Sequence, residues 1–202
     1  TVEMTFSVND SPFAGKEGKF VTSRQLRDRL YKELLRDVSL RVADTEYADS
    51  FRVCGRGEMH LSILVENMRR EGYEFTIGSP QVIFQKDENG KLLEPMETFK
   101  VEVPADYSGP VIEELGRRKG EMTNMLQDDN NRVFLEYIVP SRGLIGVRPV
   151  LLSLSKGYAV SQSLFLEYQP YKGEIPTRVN GVLIAKDAGE SASYALSKLE
   201  DR

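Results

Sequence analysis

The chain has 202 residues, 40% hydrophobic and 29% charged, with a formal net charge of −4. This is ordinary globular composition, enough for one large domain or two small ones. The acidic balance argues against a generic polyanion binder, which carries an overall basic surplus, and no apolar run approaches the ~20 residues that cross a bilayer, so no membrane partner is expected. The first residues show no basic patch followed by an apolar stretch, so secretion is not indicated. The single cysteine, Cys54, cannot form an internal disulfide; a reducing compartment, the cytoplasm, is expected.

Residues 1–8 alternate Val2, Met4, Phe6 and Val8 with Thr1, Glu3, Thr5 and Ser7, the period of a half-buried strand. A loop rich in Gly, Pro, Ser and Lys covers residues 9–21. Thr22-Ser23-Arg24-Gln25 has capping-box form, and Leu26, Leu30 and Leu34 predict a helix to about residue 36. Short strands are predicted at residues 39–42 and 51–54, the second punctuated by Gly55 and Gly57. Leu61, Leu64, Val65 and Met68 mark a second helix, from Glu58 to near Gly72, a suitable stop. Residues 73–77 and 82–84 supply closing strands. The order strand, helix, strand, strand, helix, strand is the split βαβ pattern of the ferredoxin-like fold, with both helices on one face of an antiparallel sheet.

Residues 86–95 are charged around Asn89-Gly90 and read as a boundary hairpin or linker. The same order then recurs. Phe99, Val101 and Val103 share one face of a strand at residues 98–103; a helix opens near Ser108 and Pro110, carries Val111, Ile112 and Leu115, and stops before Gly120. Strands follow at residues 122–126 and 132–139. Ser141 is placed to cap a helix holding Leu144, Ile145, Leu151 and Leu154, and residues 159–168 form the last strand. The expected class is α+β, two tandem ferredoxin-like domains at residues 1–86 and 87–172. Residues 173–202, strand-like at 179–184 and helix-like at 191–199, cannot enclose a core and read as the beginning of a truncated domain.

Several segments, taken in order, resemble the BipA/TypA family of translational GTPases. They are Ser11-Pro12-Phe13, Gly18-Lys19-Phe20-Val21-Thr22-Ser23-Arg24, Gly55-Arg56-Gly57-Glu58-Met59-His60-Leu61 and Met68-Arg69-Arg70-Glu71-Gly72 in the first half. Arg118-Lys119-Gly120, Pro140-Ser141-Arg142-Gly143-Leu144-Ile145-Gly146 and Asn180-Gly181-Val182-Leu183-Ile184 continue the match. The resemblance implies two domains similar to the third and fifth domains of elongation factor G, then the start of the family's own C-terminal domain. Elongation factor G has a long fourth domain where this chain has a short linker. The LepA family also lacks that domain, but the Val-Thr-Ser-Arg and Ser-Arg-Gly-Leu-Ile-Gly segments look like BipA. The implied partners are the ribosome, rRNA, tRNA through the C-terminal domain, and the other domains of the same polypeptide; the implied role is ribosome assembly and stress adaptation. No Gly-x-x-x-x-Gly-Lys-[Ser/Thr] loop occurs in the chain. GTP and magnesium are therefore expected in another part of the protein, and no cofactor or catalysis is expected here.

The main basic cluster is Arg117-Arg118-Lys119, at a helix end where cations also suit the macrodipole. In elongation factor G the corresponding helix end faces large-subunit rRNA, and the resemblance carries that role over. Lys16, Lys19 and Arg24 lie in or beside the first loop, and long loops on rigid scaffolds often hold contacts. Arg27, Arg29, Lys32 and Arg36 read as a solvated helix face diluted by Glu17, Asp28, Glu33 and Asp37. Arg142 and Arg148 flank a glycine-bearing turn at a helix start, a reasonable phosphate site. One histidine, His60, and one cysteine are too few for a zinc site. Two other function classes are open to this fold: a protein-interaction module and an acylphosphatase-like enzyme.

Overall fold

The computed structural model describes residues 1–176 and 188–200. Residues Thr1–Lys172 form one compact unit and Gly173–Arg202 another. The larger unit contains two antiparallel sheets, each covered by helices, and both have the ferredoxin-like strand order.

In the first half the strands are β1 (Val2–Ser7), β2 (Arg41–Asp44), β3 (Ser50–Gly55), β4 (Thr76–Ile77) and β5 (Gln81–Val82); the helices are α1 (Ser23–Glu33) and α2 (Glu58–Arg70). The sheet runs β2-β3-β1-β4, with β5 also on β1. The alternation read from the sequence places Val2, Met4 and Phe6 inward, against Leu26 and Leu30 of α1 and Leu61, Leu64 and Met68 of α2. Each such side chain, fully buried, contributes about 1.5–3 kcal/mol. The predicted capping box is present: Thr22 Oγ1 accepts from the Gln25 amide at 3.4 Å, and Gln25 Oε1 accepts from the Thr22 amide at 3.2 Å. Two details differ from expectation. Strand β2 starts later than residue 39, because Asp37 folds Ser39 into a turn through its amide and hydroxyl, leaving Leu40 to enter the core. Arg29 is not on a solvated face. It is buried, donating to Glu71 at 2.5 and 2.8 Å and to Glu33 at 2.5 Å.

In the second half the strands are β6 (Gln85–Lys86), β7 (Leu92–Pro104), β8 (Glu121–Gln127), β9 (Arg132–Pro140) and β10 (Val160–Pro170); the helices are α3 (Ser108–Arg117), α4 (Ser141–Leu144) and α5 (Val147–Leu154). The order is β10-β7-β9-β8, and β6 pairs with β7. Residues 86–95 therefore form a hairpin. Asp87 Oδ1 accepts from the amides of Asn89 and Lys91, both at 2.8 Å, and Gly90 takes φ +77°. Phe99, Val101, Val103, Val133, Leu135 and Tyr137 face Val111, Leu115, Val147 and Leu151.

The single helix expected from Ser141 onward is two. Ile145 is extended and Gly146 is left-handed at φ +68°. Pro149 supplies the physical reason: deep in one continuous helix it would remove a hydrogen bond and clash with the preceding turn, whereas in the first turn of α5 it is tolerated.

In the smaller unit, helix α6 spans Ser193–Glu200, and Tyr194 and Leu196 on it are exposed. The strand expected at residues 179–184 lies outside the described residues. No helix among the described residues is long and apolar enough to cross a membrane, and they contain no cluster of three or more metal-ligating His, Cys, Asp or Glu.

Candidate nucleic-acid interface

Helix α3 buries Val111 and Leu115 and ends in a Schellman turn: the Gly120 amide donates to Leu115 O at 2.9 Å and the Lys119 amide to Gly116 O at 3.0 Å. That turn requires a left-handed residue, usually glycine. Here it is Lys119, at φ +64°, a conformation costing a non-glycine residue about 1–2 kcal/mol. Its side chain is exposed and has no ion pair among the described residues.

The three cations of this cluster have different duties. Glu114, itself buried, accepts from Arg117 Nη2 and, at 2.7 Å, from Arg118 Nε. Arg118 Nη1 also donates to Gly143 O at 2.8 Å and Ile145 O at 3.0 Å, satisfying carbonyls at the end of α4. A Cβ on Gly143 would stand 2.6 Å from Arg118 O, so glycine permits this approach. Arg118 is thus a staple between helices, with only Arg117 and Lys119 largely exposed.

Arg142 also faces inward. Its Nε donates at 2.5 Å to Glu94, whose side chain is 0% exposed, and its guanidinium lies 4.5 Å from the Tyr171 ring centre. Glu94 also accepts from the Lys172 amide at 2.7 Å. Arg148, in the first turn of α5, is exposed and lines a cleft with Arg56, Glu58 and Glu97.

The remaining expected cations lie on the first half. Arg24, in the first turn of α1, is exposed, as are Lys16 and Lys19; Lys16 Nζ sits 5.0 Å from the Phe13 ring centre. The loop that holds the lysines is ordered by a residue the sequence did not single out. The Glu74 carboxylate accepts from the amides of Gly15 (2.7 Å), Glu17 (3.0 Å) and Gly18 (2.9 Å) and from Asn9 Nδ2 (2.9 Å). The Gly15 and Gly18 amides lead the causes that hold its pKa down at about 2. A Glu between Tyr73 and Phe75 gives no sign of this in one dimension; the only hint was glycine in the loop. Arg56 was also missed, because the cleft it shares with Arg148 is made by tertiary packing.

His60 is engaged within the fold: its Nε2 pairs with Asp37, and its Nδ1 accepts from the Arg56 amide at 3.2 Å. The hydrogen bonds from Ser39 and the pairing with His60 hold Asp37 down at about 2.

Comparison with known proteins gives these features a context. The family described as "Elongation factor G C-terminus" matches residues 91–179. The chain is 52% identical, over its whole length, to the "Large ribosomal subunit assembly factor BipA" of a Synechocystis strain, covering 34% of that protein. The family is BipA/TypA, and this chain belongs to it. Further BipA/TypA relatives are a putative TypA-like chloroplast elongation factor of Arabidopsis thaliana, at 52% identity with 30% of its length covered, and the Escherichia coli K12 BipA, at 50% with 33% covered. The chain thus spans about a third of the length of these BipA/TypA relatives. A crystal structure of a Thermus thermophilus protein superposes with a TM-score of 0.53 at 14% identity, covering 85% of this chain and 41% of that one; it supports the fold alone.

Proposed function

We propose that the Thr1–Lys172 unit is the ribosome-binding portion of a BipA/TypA-type translational GTPase acting in ribosome assembly and stress adaptation. In this reading it contacts rRNA phosphates and performs no chemistry, GTP and magnesium being handled by other domains of the polypeptide. One observation carries it: exposed cations sit where local energetics disfavour them. Lys119 occupies a left-handed position, and Arg24 and Arg148 sit in helix first turns, where the macrodipole opposes a cation by a few tenths of a kcal/mol. The same turns favour an approaching phosphate. The relatives named as large ribosomal subunit assembly factors support the choice of RNA as partner.

The test replaces Arg117 and Lys119 with Ala and spares Arg118, whose loss would unfasten α4. Ribosome co-sedimentation of the intact protein should weaken, and the slope of log affinity against log salt should fall by about one per lost phosphate contact. A second reading, docking to a protein, is favoured by Leu126, Phe134, Val160 and Leu164, all exposed on β8, β9 and β10. Weakened binding without a change of slope would support that second reading against the first.

A further inference from the structure

The segment between Ser7 and Ser23 contains no helix or strand. Loops of this length inside compact domains are usually either functional or disordered. This one is ordered, and its order converges on one side chain.

A carboxylate offers about four lone-pair sites, and Glu74 fills four of them with Asn9, Gly15, Glu17 and Gly18. The arrangement is tight, since a Cβ on Gly18 would stand 2.5 Å from Glu74 Cβ. The flanks are fastened as well: the Lys19 and Phe20 amides donate to Gly72 O at 2.8 and 3.1 Å, the Glu74 amide donates to Phe20 O at 3.1 Å, and the Phe20 and Tyr73 rings meet at 4.8 Å. Lys16 and Lys19 are interleaved with the very amides that Glu74 binds, yet their ammonium groups form no ion pair among the described residues. Among the described residues the one partner of either charge is the exposed Phe13 ring beside Lys16.

We infer that Glu74 is a positioning residue that presets Lys16 and Lys19 for contact with RNA phosphates, acting through the loop backbone without touching the RNA. The inference rests on the RNA-binding reading above. It makes a prediction of unusual sign. Glu74 is an anion bound to the amides next to Lys16 and Lys19, so charge alone says that its removal tightens RNA binding. Positioning says that its removal weakens binding, because the unmoored lysines must be ordered at the moment of contact.

Four variants of the intact protein decide it by ribosome co-sedimentation across a salt series: Glu74→Ala, Glu74→Gln, Lys16→Ala with Lys19→Ala, and those two combined with Glu74→Ala. The lysine pair should lower the salt slope by about two. Glu74→Ala should weaken binding and lower the slope toward the same value, and adding it to the lysine pair should produce no further loss. Glu74→Gln, which keeps one acceptor oxygen, should fall between, so the inference stays testable if the Ala variant misfolds. Amide exchange at Gly15, Glu17 and Gly18 should accelerate in both Glu74 variants. Unchanged or tighter binding by the Glu74 variants, with the lysine pair weakened, overturns the positioning role alone. No loss in the lysine pair overturns the RNA reading of this loop and the inference with it.

Discussion

Replacing Arg142 with Ala should cost stability and leave RNA binding alone. The Glu94 side chain is 0% exposed and Arg142 only 16%. Deleting one member of a buried pair strands the other charge, at a typical cost of about 3–5 kcal/mol. The Lys172 amide still donates to Glu94 in the variant, which favours the low end; the lost stacking on Tyr171 adds back about 0.5–1 kcal/mol. A loss of about 3–4 kcal/mol in a unit of this size corresponds to a melting temperature lower by roughly 6–16 °C. Differential scanning calorimetry reads this directly. The control is Glu94→Leu with Arg142→Met, which removes both charges together and should recover most of the loss, since apolar replacement of a buried pair is often neutral. Ribosome binding measured well below the melting transition should keep the parent salt slope. Melting within about 2 °C of the parent together with a slope lower by about one would refute the reasoning and return Arg142 to the RNA-contacting set.

Two further outcomes are expected. Among the described residues the buried Tyr137 hydroxyl has no hydrogen-bond partner, so Tyr137→Phe should leave stability unchanged or raise it by up to about 1 kcal/mol in thermal melts; a clear loss would reveal a missed partner. The Glu74 carboxylate lies lower when folded, at about 2, than its ordinary 4.5, so its stabilisation of the loop is full above pH 4.5 and lost as pH falls through about 2. Asp37 and Glu66 move in the same direction, so the readout must be local: protection of the Gly15, Glu17 and Gly18 amides should decline on acidification, and Glu74→Gln should abolish that dependence.

The fold was legible because its signals are periodic and local. The alternation of Val2, Met4 and Phe6, the leucine spacing of α1 and the Thr22–Gln25 cap each depend on neighbours within a few residues, and each appears as read. The helix beginning at Ser141 was misread because its apolar spacing continues through Gly146 while Pro149 interrupts the backbone. The candidate interface was less legible. Arg118 and Arg142 look like Arg117 and Lys119 in sequence, and what separates them is tertiary packing, which sets Arg118 against the Gly143 and Ile145 carbonyls and Arg142 against the buried Glu94. Arg29 was misjudged for the same reason, its partner Glu71 lying 42 residues further along the chain. Charge patterning along a chain reports how many cations exist, not which of them the fold has already consumed.

The turn between β6 and β7 has an architectural consequence. Its two ends are held together by the Asp87 amide donating to Lys91 O at 3.0 Å, and Glu88, Asn89 and Gly90 project into solvent. Lengthening such a loop costs only about 0.6 kcal/mol per doubling, so a whole folded module can be spliced in at its tip while both sheets keep their register. The hairpin is therefore a ready socket for grafted cargo, such as a fluorescent or affinity module.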